Sequence, residues 1–329
     1  MVCLCGRVIA NNLQSLLDAR VLTYAKWAHF PTLYLETEIY ACNTFRSMVE
    51  SLRHPDAERP VNLLRTRFLG FLGDVLVDDE EEDLADFLTS EGVLSRPHPG
   101  SLTYRMTSLL VDGLLRRKVI AYKFRNIPPG DPPFSDSKNS LDVLSALTQS
   151  FKCFDKQLIR LAADRSFKVS NVKVGGFSKA RVPRESVYDT ELMRILTNWL
   201  RTHQNWTVTG QWHLKTPHQK HKYTDIVLQE SDNPPTVLEL LATGDQNFVN
   251  SHIEKTPEYM TLLKADVAWV IHFTREDNYV PVWQSNTVLD KGVNVVHFYH
   301  NSDFTEVTMM ARWKDQARVL HTDTQTISI

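Results

Sequence analysis

The stretch that most limits how this chain can fold runs from Lys222 to Leu241, KYTDIVLQESDNPPTVLELL: two short apolar runs around a polar turn, each holding one acid. Ile226, Val227 and Leu228 on one side, and Thr236, Val237 and Leu238 on the other, favour extended backbone. The Ser-Asp-Asn-Pro-Pro between them is a loop, so the stretch predicts a β-hairpin. Asp225 and Glu239 are its two acids. A carboxylate inside an apolar run costs several kcal/mol to bury unless a metal, a cation or hydrogen bonds compensate it. A shared divalent cation is the sharpest answer; ion pairs with Arg or Lys in a purely structural hairpin are the plainer one.

The chain around this hairpin is 329 residues long, enough for two domains, and 42% hydrophobic, with a net charge of −2. With so little net charge, attraction to a polyanion has to come from local patches. Cys3, Cys5, Cys42 and Cys153 form neither a CxxC pair nor a disulfide-dense set, which points to reduced thiols. No export signal is evident and no run of about 18 apolar residues occurs. The expectation is an intracellular protein, nuclear or cytoplasmic, with no membrane contact.

Residues 1–125 read as mainly helical, with apolar spacing predicting helices over Asn12 to Trp27 and Val61 to Val77. The acidic run Asp78 to Asp83 is a solvated loop or helix start, because contiguous carboxylates face different directions. From Leu84 to Phe124 come a short helix, a glycine turn, a proline-bearing loop, a strand (SLTYRMT) and a helix (LLVDGLLRRKVI). This succession resembles the winged-helix-like module that closes many P-loop ATPase chains. There Arg116, Arg117 and Lys118 would either touch DNA or compensate a helix C-terminus. No GxxxxGK[ST] occurs, so this half would be an ATPase remnant or the companion of a separate ATPase. Residues 126–140 are a Pro-rich linker, 141–165 a connecting helix, 166–315 a second domain and 316–329 a tail. Between Arg165 and Arg184 lies a mobile basic segment: Lys168, Lys173, Lys179 and Arg181 surround Gly175-Gly176 with no acid among them, which suits contact with phosphates.

The second domain reads as helix (opened by Asp189-Thr190-Glu191), strand (Trp206 to Leu214), the two acidic strands, helix (Gln246 to Lys264) and strands at Val267 to Phe273 and Val293 to Tyr299. That α-β-β-β-α-β-β order, with Glu191 on the first helix and Asp225 and Glu239 across the hairpin, resembles the PD-(D/E)XK restriction-endonuclease-like fold. More narrowly, VPRESVYDTELMRIL, QWHL, YTDIVL, VLELLAT, WVIHFT and VNVVHFYH resemble the nuclease-like C-terminal domain of Crinkler-type effector proteins, over about residues 165–315.

The resemblance implies an α+β protein acting as a Mg²⁺- or Mn²⁺-dependent nuclease on nucleic acid, with DNA favoured. Asp225, Glu239 and the Leu240 carbonyl would hold the metal and Glu191 would assist. Leu241 stands where the family carries its lysine; Lys255, on the following helix, is the replacement, and His252 and Tyr259 share its helical face unless Pro257 divides the helix. His252 would serve as base or phosphate contact. Lys215, Lys220 and Lys222 in the loop before the hairpin, with Lys173 and Lys179, would grip the nucleic-acid backbone. The alternative is a catalytically inactive nuclease-fold module that binds nucleic acid or a protein partner. His272, His297 and His300 read as hydrogen-bonded core residues, and Trp269, Trp283 and Trp313 as core.

Overall fold

The structure is a computed structural model. It describes residues 36–329 apart from 99, 135–139, 165–167, 202, 204–205, 216–220, 231–232 and 316, together with residues 17–18 and 21–22. It is a mixed α+β protein.

Strands β1 (Leu17–Asp18) and β2 (Val21–Leu22) pair antiparallel, Leu17 opposite Leu22, where apolar spacing predicted a helix. The first half continues with α1 (Glu36–Ala41), α2 (Asn43–Arg53) and α3 (Glu58–Leu63), which runs into a π-helical turn at Leu64–Phe68. Then come β3 (Val75–Leu76), α4 (Glu82–Ser90), β4 (Leu94–Ser95), β5 (Thr103–Met106) and α5 (Leu109–Leu115), the last extended by a second π-helical turn at Arg116–Ile120. The three strands form one small sheet in the order β3-β5-β4. Val49, Leu52, Val61, Leu64, Phe68 and Leu88 share its buried core. The acidic run starts α4 and is held by arginines: Arg67 pairs with Asp78 and Glu81, and Arg96 with Glu82 and Asp86.

The connecting segment is two helices, α6 (Val143–Phe151) and α7 (Lys156–Ala162). Asp155 makes the break, because its carboxylate caps α7 by accepting the Leu158 N–H at 3.0 Å. The Pro-rich stretch is packed: Gly130 and Asn126 carbonyls accept from Trp199 Nε1 (2.8 Å) and Arg194 Nη1 (2.7 Å).

In the second half, α8 (Glu185–Leu200) precedes β6 (Trp206–Lys215), β7 (His221–Glu230) and β8 (Thr236–Ala242). There follow α9 (Gln246–Leu263), β9 (Val267–Thr274), the short α10 (Asn286–Asp290), β10 (Val293–His300), β11 (Glu306–Lys314) and β12 (Leu320–Ser328). All seven strands lie in one sheet in chain order, β8-β9 and β9-β10 parallel and the rest antiparallel. The segment read as a tail thus contains an edge strand. Apolar residues at both strand parities cover both faces. Ile226, Leu238, Leu240 and Phe273 pack under α6, α7 and α8, while Val237, Leu241, Val270 and Val295 pack under α9. Pro257 lies inside α9 without dividing it.

Helix α8 also fastens the two halves together. Arg65 of the first half reaches Glu191 Oε1 at 2.5 Å and Asp155 at 2.9 Å, while Arg194 holds Glu191 Oε2 at 2.8 Å. Two residues toward the helix start, Arg116 bridges Asp112 and Asp189.

Candidate active site

The backbone ladder between β7 and β8 runs from Leu228↔Thr236 to Ile226↔Leu238 and stops. Strands β6 and β7 stay paired from Trp206↔Glu230 to Lys215↔His221, so this hairpin leaves the sheet as a unit at Asp225. One further step of the register sets Asp225 opposite Glu239. There a side chain replaces the lost ladder, with Asp225 Oδ2 accepting the Leu240 N–H at 2.7 Å.

A third acid joins them. Glu185, in the first turn of α8, is half-buried, and its carboxyl is pushed up to about 8 by burial, then by Glu239 and Asp189, with Lys168 opposing. Asp225 is held well above the usual carboxylate range by burial and by Glu239, Glu185 and Asp189, against the Leu240 N–H. Burial raises Glu239 too, although His252 and Lys255 pull it down. Acids this close suppress one another's ionisation and titrate as a set. Glu239 Oε1 lies 3.4 Å from His252 Nδ1, while Oε2 is buried with no hydrogen-bond partner among the described residues. The Tyr259 hydroxyl is raised to about 12, by burial and then by Glu239 and Asp225.

Asp225 and Glu185 line a cavity of about 350 Å³ between the halves, walled by Gly70 and Phe71 on one side and by Lys168 and Arg184 beside the two acids on the other. Lys168 is half-buried; its ammonium donates to the Ala242 carbonyl at 3.3 Å and lies 5.6 Å over the Phe248 ring. Burial lowers its pKa, and Glu185 works the other way.

Comparison with protein-family models, with curated proteins and with solved structures returned no match.

Of the residues singled out in the sequence, the structure brings together Asp225, Glu239 and His252, with the exposed Lys255 in electrostatic reach of Glu239. Leu240 contributes its N–H to Asp225, and Leu241 is buried in the core beneath α9. Glu191 is elsewhere. It is fully buried between Arg65 and Arg194 and accepts the Asp155 N–H at 2.9 Å; burial works to raise its pKa and the two guanidiniums overcome it, for a net lowering.

The helix acid beside Asp225 is Glu185, because α8 begins at Glu185, six residues before Glu191. Pro183 just ahead of it is the start signal in the sequence. Residues 185 and 189 lie one turn apart on one face, whereas 191 is about 200° round the helix from 189. Lys168 also escaped notice as a site residue, for it lies seventeen residues before α8 in sequence and arrives only through the fold.

The basic residues divide. Arg116 is buried between Asp112 and Asp189. Lys173 and Lys179 are exposed, but their segment is pinned: Gly175 and Gly176 N–H groups donate to Asp277 at 2.8 and 2.6 Å. Lys220 lies outside the described residues, as do the side chains of Lys215 and Lys222.

The core histidines follow one proton accounting. His297 Nε2 is 2.8 Å from the Val282 carbonyl, which only accepts, so that nitrogen carries the proton and Nδ1 is bare. Burial holds His297 neutral, at about 4. Tyr279 therefore donates to His297 Nδ1 at 2.8 Å and accepts from His272 Nδ1 at 3.1 Å. His300 Nδ1 donates to the Asn301 carbonyl at 2.8 Å, so its Nε2 accepts from the Tyr188 hydroxyl at 2.7 Å.

Among the described residues no group of three or more His, Cys, Asp or Glu is arranged to hold a metal ion. The donors at the cleft are nonetheless of the kind Mg²⁺ takes: hard carboxylate oxygens from Asp225 and Glu239, one of them the orphaned Oε2. Mg²⁺ is commonly held by one or two carboxylates and keeps several waters.

Proposed function

We propose that the protein is a Mg²⁺- or Mn²⁺-dependent nuclease of the PD-(D/E)XK kind, hydrolysing phosphodiester bonds in nucleic acid, DNA before RNA. The observation that carries this reading is the convergence of Asp225, Glu239 and Glu185 where β7 departs from β8, with Asp225, Glu185 and Lys168 on the wall of an open cleft. His252 reaches only one oxygen of Glu239: Oε2 has no hydrogen-bond partner among the described residues, and all three carboxyls are shifted toward the protonated form. They are poised to ionise when a cation arrives.

Asp225 and Glu239 would hold the metal, which would supply polarisation of the phosphate and a water of lowered pKa. Glu185, with its raised pKa, accepts a proton near neutral pH and is suited to general-base work. His252 hydrogen-bonds Glu239 and fixes that carboxylate's rotamer. Lys168 and Lys255 offer the positive charge that Leu241 does not, from the cleft wall and from α9. Arg184, beside Glu185 in the cleft, is placed to meet a phosphate.

One observation favours a second reading, a nucleic-acid-binding module without catalysis: Leu241 is packed into the core where the family's lysine would stand. Plasmid nicking with Mg²⁺ and Mn²⁺ distinguishes the two. Asp225→Asn and Glu239→Gln are each expected to lower the rate about 100-fold or more, the loss of several kcal/mol of transition-state stabilisation. Nicking unchanged in both variants would reject the assignment. No nicking by the wild type, with salt-sensitive DNA binding retained, would favour the binding module.

A further inference from the structure

The basic segment beyond the cleft is a built arm. Val182 N–H donates to the Lys168 carbonyl at 3.2 Å and Ser170 N–H to Ala180 at 2.9 Å, which closes the base of an antiparallel pair. At the tip, Val174 and Phe177 exchange both backbone hydrogen bonds, at 3.0 and 3.2 Å. Gly175 and Gly176 between them have φ of 59° and 82°, as a tight two-residue hairpin turn requires. Asp277 locks this tip to the body, taking both glycine N–H groups on its carboxylate and returning its own N–H to the Lys173 carbonyl at 2.9 Å.

On this rigid support Phe177 is 73% exposed. A single exposed aromatic is ordinary; its surroundings are not. Lys173 and Lys179 stand exposed on the same arm, which holds no acid, and the arm starts at Lys168 in the wall of the cleft that holds Asp225. Lys179 also sits in the left-handed region, φ 61°, where glycine or asparagine would be unstrained. A side chain kept at a strained position on an exposed, pinned turn argues for use of that side chain.

We propose that this arm is a binding platform for single-stranded nucleic acid, with Phe177 stacking on an unpaired base while Lys173 and Lys179 hold the flanking phosphates. An unpaired base offers a free π-face, whereas a base pair within a duplex has both faces covered. The strand then runs from the arm along Lys168 into the acidic cleft. This rests on the nucleic-acid reading above and narrows it to a strand that is single or locally opened.

The test is fluorescence anisotropy of the full chain in EDTA, with labelled oligothymidylate and with a labelled duplex. Phe177→Ala is expected to weaken single-strand binding about tenfold and leave duplex binding unchanged, with Phe177→Trp restoring the affinity. Lys179→Gly is expected to weaken binding and flatten its salt dependence while the melting temperature holds or rises. Equal single-strand affinity of Phe177→Ala and wild type would overturn the proposal, as would wild type binding neither probe. Asp225→Asn, which removes an acid from the strand's path, is expected to bind the single strand at least as tightly as wild type. If Asp225→Asn also cut DNA like wild type while Phe177→Ala lost the strand, the catalytic assignment would fall and the platform would stand.

Discussion

Glu185 carries the clearest single-residue consequence. Its folded pKa is raised from the ordinary 4.5 to about 8, so between these values the native state holds a proton that the unfolded chain has released. Stability contributed by this group is therefore complete below its unfolded pKa and is lost as pH rises through the folded one. Asp225 and Glu239, also raised, act with the same sign. Glu185→Gln should flatten the fall of the urea midpoint across that window and leave the variant more stable than wild type at its alkaline end. An unchanged slope would contradict the acid cluster. Glu191 behaves oppositely. Glu191→Ala leaves Arg65 and Arg194 buried without their carboxylate and should cost about 3–5 kcal/mol in urea unfolding; a loss under about 1 kcal/mol would contradict its clamping role. In sequence these two glutamates look alike, two acids on one helix. What separates them is which face the helix turns to the sheet and which to the first half, and no local pattern records that.

Elements divide by how local their causes are. The β7–β8 hairpin was legible because two short apolar runs that favour extended backbone and the Pro-Pro loop between them each act over a few residues. The end of the β7–β8 ladder at Asp225, which makes the cleft, was not legible, since it depends on β6 holding β7 more extensively than β8 does. Strand β12 was missed because its residues are mostly exposed and polar, with Ile327 its buried apolar anchor. The wall of the cleft has its own weak point at Gly70, whose φ is +72° and where a Cβ would come 2.3 Å from both Arg116 Nη2 and Ser186 Cβ. Gly70→Ala should therefore push the Phe71 loop from the start of α8 and cost about 1–3 kcal/mol. Stability equal to wild type in a melting experiment would show that the loop and helix are not in that contact.

At the scale of the whole molecule, the Pro-rich stretch reads as a boundary by composition yet behaves as packing material, with Trp199 and Arg194 of α8 bonded to its carbonyls. Arg65, Arg116 and Arg194 place buried charge at the junction of the halves. A fragment of residues 126–329 would leave Glu191 without Arg65 and Asp189 without Arg116. The intact protein is expected to unfold in one calorimetric transition, and the fragment to lack a cooperative one. Two separated transitions in the intact protein would contradict this joint architecture. The cleft belongs to both halves, since Gly70 and Phe71 face Glu185 and Asp225 across it. That arrangement gives the first half a part in shaping the site, beyond any role as a companion domain.

The proposal that Asp225 and Glu239 hold a divalent cation, with Glu185 beside them, is tested most directly by titrating Mn²⁺ and following the free ion by electron paramagnetic resonance. Wild type is expected to take up Mn²⁺ with affinity that rises with pH as the raised carboxyls ionise, releasing protons on binding. Asp225→Asn should abolish this uptake, and Glu185→Gln should weaken it and shallow its pH dependence. Equal Mn²⁺ uptake by wild type and Asp225→Asn, or none by wild type at alkaline pH, would contradict the account.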